Sequence, residues 1–128
     1  MGLFDIFRNK RVAKDVEAPS AIEYVEWLFN VLVRAAVTEI TIDTSKPLLG
    51  AERLPEGFEP PPCLPDPHAV INRLKLLSKV TPVQHAAAVR GSFEQPRKYH
   101  SLFVDAVFQD SAAKSTCTMR LRIRGWGA

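Results

Sequence analysis

No run of apolar residues in this 128-residue chain approaches the ~20 needed for a membrane-spanning helix, so none is expected. Cysteine is scarce: Cys63 and Cys117 lack Cys-x-x-Cys spacing, which excludes a zinc ribbon and a dithiol redox motif. The three histidines, His68, His85 and His100, form no i,i+4 pair and have no acidic residue at ligand spacing, so no metal centre is expected. No Gly-x-x-x-x-Gly-Lys-Ser/Thr occurs, and without it no loop of amides and a lysine can cradle a nucleotide's phosphates. Cys117 falls mid-strand on a core-facing position, where a thiol is inert packing rather than a nucleophile. Neither catalysis nor a cofactor is expected. Asp5 and Arg8 interrupt the first apolar residues and no small-residue cleavage site follows, so no secretory signal is expected. Ile6 stands where N-myristoylation wants Ser or Thr. The expectation is a cytoplasmic chain with both thiols free.

What is present suits one folded domain. Hydrophobic residues make up 46% of the chain and charged residues 24%, and the net charge is only +3, which excludes wholesale disorder. Charge is unevenly spread: residues 1–14 carry +3, residues 15–66 carry −7 and residues 67–128 carry +7. An acidic half followed by a basic half either packs against itself or meets a charged partner. Residues 1–19 read as a basic amphipathic N-terminal segment and residues 20–128 as a single α+β domain. Wound as a helix, Leu3, Phe4 and Phe7 share a face, with Arg8 and Arg11 on another side. These five residues are candidates for contact with an anionic membrane surface or a partner groove. The plainer reading has Phe4 and Phe7 covering the domain's own core.

Ser20 and Glu23 form a Ser-x-x-Glu capping box, after which Ile22, Val25, Phe29, Leu32 and Ala36 recur at three- and four-residue intervals. A helix over 21–36 follows, leading into Thr38-Glu39-Ile40-Thr41-Ile42-Asp43, whose alternation predicts a half-buried strand. Seven of the ten prolines fall in residues 44–67, which predicts an irregular loop or a strap covering a sheet edge. Asp66-Pro67 then caps a second helix that buries Val70, Ile71, Leu74 and Leu77 and ends near Thr81-Pro82. A short strand opens at Gly91-Ser92-Phe93. Leu102–Phe108 is apolar on both faces, as in a central strand covered by helices. In Thr116–Arg124, Cys117, Met119, Leu121 and Ile123 face one way and Arg120, Arg122 and Arg124 the other. The order is α-β-loop-α-β-β-β, an α+β fold with two main helices on a mostly antiparallel sheet.

Several short motifs recur in this order. Ala36 leads to Thr38-Glu39-Ile40-Thr41-Ile42-Asp43, and the second helix carries Ile71, Arg73, Leu74, Lys75, Leu77 and Ser78. A short connection reaches Gly91 and Phe93, and the last strands carry Val104-Asp105-Ala106 and Met119-Arg120-Leu121. With that order and spacing, residues ~20–124 resemble the N-terminal PAS-like domain that precedes the motor domain in the type II secretion and type IV pilus ATPases. The resemblance implies a PAS-like fold. In the family, Glu-Arg-Arg and Pro-Gln-Asp precede the strand glycine; here those positions hold Gln84, His85 and Ala86, then Ala88, Val89 and Arg90. The family's strand arginine falls on Val107. Those arginines reach nucleotide phosphates, a task that neutral side chains cannot perform. The expectation is therefore a stand-alone, degenerate relative without the motor domain.

Function is expected to be non-catalytic: a protein-interaction or regulatory module, with a secretion or pilus component as its implied partner and a location at the inner face of the membrane. Its candidate partner surface is the basic strand face of Arg120, Arg122 and Arg124, joined by Arg97 and Lys98. The plainer reading of that stripe is a solvated face paired with the acidic half. The alternative function is a small-ligand or nucleotide sensor with a pocket between sheet and helices. A nucleic-acid surface is disfavoured, because aromatic residues do not interleave with the arginines.

Overall fold

The computed structural model describes residues 19–50, 53 and 56–125. The candidate contact residues Leu3, Phe4, Phe7, Arg8 and Arg11 lie outside them. The first apolar stripe winds as helix α1, Pro19–Arg34. Proline's fixed φ suits a first helical turn, so the helix is already wound at Pro19 and Ser20 lies inside it rather than capping it. The helix stops two residues before the expected Ala36 because Ala36 adopts a left-handed φ of 58°. The Val37 N–H then bonds the Leu32 carbonyl at 2.9 Å and the Ala36 N–H bonds that of Val33 at 3.1 Å. This is a Schellman end, with alanine where glycine is usual.

Strand β1, Glu39–Asp43, follows directly, and helix α2, Pro67–Leu77, comes after the proline-rich stretch. As expected, Asp66 caps α2: its Oδ1 accepts the His68 N–H at 3.0 Å, with Pro67 in the first turn. A second Schellman end cuts α2 shorter than expected, with Lys79 at φ 62° and the Val80 N–H on the Lys75 carbonyl at 2.8 Å.

Strands β2 (Val89–Pro96), β3 (His100–Asp110) and β4 (Ser115–Gly125) complete a four-stranded sheet in the order β1-β4-β3-β2. Every neighbouring pair is antiparallel. The fold is α+β, with element order α-β-α-β-β-β. β2 is longer than the expected Gly91–Phe93, because the hairpin with β3 templates eight residues, from Val89 opposite Phe108 to Pro96 opposite Ser101.

Both helices lie on one face, where Leu28, Phe29, Val70, Leu74, Leu102, Phe108, Cys117 and Met119 are fully buried. β3 is central, as expected, but among the described residues only one of its faces is covered. Four strands at ~4.8 Å spacing make a layer that two helices packed ~10 Å apart just cover, and among the described residues no third element lies on the other side. Phe103 and Val107 consequently remain half-exposed on the uncovered face.

The proline-rich stretch is a strap over α1. The Trp27 indole donates to the Glu59 carbonyl at 3.0 Å, the Tyr24 hydroxyl to that of Leu49 at 2.8 Å and the Cys63 thiol to that of Ser20 at 3.3 Å. Arg34 lies 4.6 Å from the Phe58 ring centre. With the strap on one side and the sheet on the other, α1 buries Tyr24, Leu28 and Val31 besides Val25, Phe29 and Leu32 of its expected stripe; Ile22 is only partly buried, and Ala36 lies exposed beyond the helix end.

Candidate functional site

Strand alternation sorts β4 as its sequence requires: Cys117, Met119 and Leu121 are buried under the helices, while Arg120, Arg122 and Arg124 stand exposed on the open face. Register sets what each arginine meets. Arg120 lies opposite Glu39 on β1 and Asp105 on β3. Arg122 lies opposite Phe103, which in turn faces Glu94 on β2.

The arginines pair with these neighbours. Arg120 Nε is 3.4 Å from Glu39 Oε1, and Arg122 Nη2 is 3.6 Å from Asp105 Oδ2. Both pairs are well exposed and so add little stability. Arg124 has no acidic partner among the described residues; its guanidinium lies 5.3 Å from the Phe103 ring centre, and that of Arg122 lies 5.8 Å from it. The stripe thus meets a carboxylate on β1 at Arg120 and one on β3 at Arg122, and its unmatched positive charge among the described residues is at its C-terminal end. There the two arginines flank Phe103, beside an open groove of about 550 Å³ lined by Val37, Leu121 and Ile123. Ile123 points to the helix side but is 53% exposed: β1 begins only at Glu39, and among the described residues no helix covers it.

The five expected cations do not form one surface. Arg97 turns away to bond Glu26 of α1 and is only 15% exposed, since the hairpin bend between β2 and β3 carries it past the sheet's plane toward the helices. Lys98 sits in that bend, its ammonium 5.2 Å from the ring of the exposed Tyr99. Phe103 was missed as a site residue. Its signal was an aromatic on the same parity as Asp105, the polar parity of its strand.

A second polar cluster sits at the other end of the sheet. Lys75, in the last turn of α2, donates to the Val83 carbonyl at 2.7 Å and to Asp110 Oδ2 at 3.0 Å. The His85 N–H donates to the same oxygen at 2.8 Å. Burial pushes the Asp110 carboxyl up, but the His85 and Lys75 hydrogen bonds outweigh it and hold the pKa below the usual carboxylate value. A cleft of about 380 Å³ lined by His68, Asn72, Gln84 and Lys114 lies alongside. His85 also contacts the Thr81 carbonyl through Nε2 at 2.9 Å, so it closes its own loop rather than facing this cleft's chemistry.

Burial pushes the Cys117 thiol up to about 12, leaving no nucleophile there. Among the described residues, no three His, Cys, Asp or Glu side chains gather as a metal site, and no helix is long and apolar enough to cross a membrane. The chain matches no protein-family profile, no curated protein and no solved structure.

Proposed function

We propose that this chain is a non-catalytic protein-interaction or regulatory module, and that it reads its partner through the cationic end of the open sheet face. One observation carries this reading. Phe103 stays half-exposed between Arg122 and Arg124, on an inner strand of a sheet whose other face carries the core. An aromatic ring flanked by guanidinium groups suits a partner surface that combines an acidic group with an apolar side chain. The short motifs shared with secretion and pilus ATPases make a component of such machinery the proposed partner, met at the inner face of the membrane. The two free thiols suit the reducing cytoplasm. The sensor alternative has less support, because Leu28, Phe29, Phe108 and Met119 fill the space between helices and sheet without exposure.

The test is capture of partners from the source lysate by the wild-type chain and by F103S/R122Q/R124Q, at low and high salt. Wild type should retain specific proteins that the variant loses, more so at low salt, with a melting temperature nearly unchanged in the variant. A variant that captures the same proteins as wild type would sink the reading. ATP turnover would sink its non-catalytic part, and a clear thermal shift with ATP would favour the sensor alternative.

A further inference from the structure

The sheet has two outer strands, and they differ. Beside β1, Pro47, Leu48 and Leu49 fold back to wall a cleft of about 240 Å³ with Ile40–Asp43, so that edge is flanked by the chain itself. β2 has no such cover among the described residues: its only backbone hydrogen bonds run to β3. Its register is unbroken from Val89 opposite Phe108 to Pro96 opposite Ser101, with no bulge to twist the edge away. It carries no lysine, and its one proline is its last residue. These are the devices that ordinarily prevent an edge from pairing with another chain.

We propose that β2 is a self-pairing edge, through which two copies of this chain associate by antiparallel alignment of their β2 strands about Ser92. Charge complementarity selects the occupant and the register. With Ser92 opposite Ser92 of the second copy, Arg90 lies opposite Glu94 of that copy, and the two-fold axis repeats the pair. All three residues are exposed on the open face, and directly opposed side chains on an antiparallel pair stand ~5 Å apart. A shift that sets Gly91 opposite itself places Arg90 against Ser92; the opposite shift places Arg90 against Pro96. Neither retains a charge pair, so one register is favoured. In it Pro96 falls opposite Ala88, beyond the strand, and its missing N–H interrupts nothing. The product is an eight-stranded sheet whose open faces join, setting two Phe103 clusters on one surface. The proposal does not depend on what that surface binds.

Sedimentation of the full chain from micromolar to millimolar concentration at low salt tests it. Wild type should show a reversible monomer–dimer equilibrium. R90E and E94R should each weaken it about tenfold, since two attractive cross-strand pairs become two repulsive ones. Both positions are exposed, so melting temperatures should not move. Mixing R90E with E94R should restore association as a heterodimer, and R90E/E94R should restore it within one chain. A wild type that stays monomeric throughout would overturn the proposal. A dimer indifferent to both single changes would do the same, as would single variants that fail to re-associate on mixing.

Discussion

The ammonium of Lys75 and the carboxylate of Asp110 meet at 3.0 Å with only 3% and 1% of their side chains exposed, tying the last turn of α2 to the end of β3. A pair so enclosed contributes little beyond a hydrophobic equivalent, yet removing one partner leaves a buried charge unmatched. Lys75→Met should therefore cost about 3–5 kcal/mol in urea unfolding. Adding Asp110→Asn to it should recover part of that loss, because the stranded charge is gone. A K75M loss below about 1 kcal/mol would show that the pair is solvated in the folded chain.

Acid sensitivity follows from two aspartates. Hydrogen bonds from the Ser45 hydroxyl and N–H, aided by Lys114, hold the Asp43 carboxyl at about 2, and Asp110 is also held below its ordinary value. Unfolded aspartate titrates near ~3.9, so below that pH the unfolded chain binds more protons than the folded one. Stability should be fully present above pH ~4 and fall as pH drops toward 2. Asp110→Asn should lower stability at neutral pH but flatten this acid slope, which chemical denaturation at several pH values reads directly.

Gly91 passes beneath the C-terminal turn of α2 so closely that a Cβ on it would lie 2.7 Å from Ser78 Cβ and 2.9 Å from the Ser78 carbonyl oxygen. Gly91→Ala should cost about 1–3 kcal/mol by forcing the two elements apart. Ser78→Ala should not rescue it, because alanine keeps both of the atoms that collide. A neutral G91A would mean that this contact yields without resistance.

Lys79 holds a left-handed backbone, at φ 62°, without glycine's freedom from steric cost. Lys79→Gly should stabilise the chain by about 0.5–1 kcal/mol, the gain at the helix end exceeding the added entropy of the unfolded chain. The same change at exposed Lys114, outside any such turn, should bring no gain.

Local chemistry alone dictated much of this molecule. The α1 stripe, the Asp66-Pro67 cap, the alternation in β1 and β4 and the α-β-α-β-β-β order all follow from side-chain periodicity and capping, which act over a few residues. Both helices end earlier than side-chain periodicity predicts, because a left-handed Ala36 or Lys79 carries no glycine to announce it. The arginine face was legible as a line of side chains on one strand, but not what the line meets. Glu39 and Asp105 reach it only through pairing with β1 and β3, and the hairpin bend takes Arg97 to Glu26 instead. The Lys75–Asp110 pair joins residues 35 positions apart, and no local pattern marks either as buried. Which edge lies open is likewise a property of strand order, and strand order is settled only when the helices choose one face of the sheet to cover.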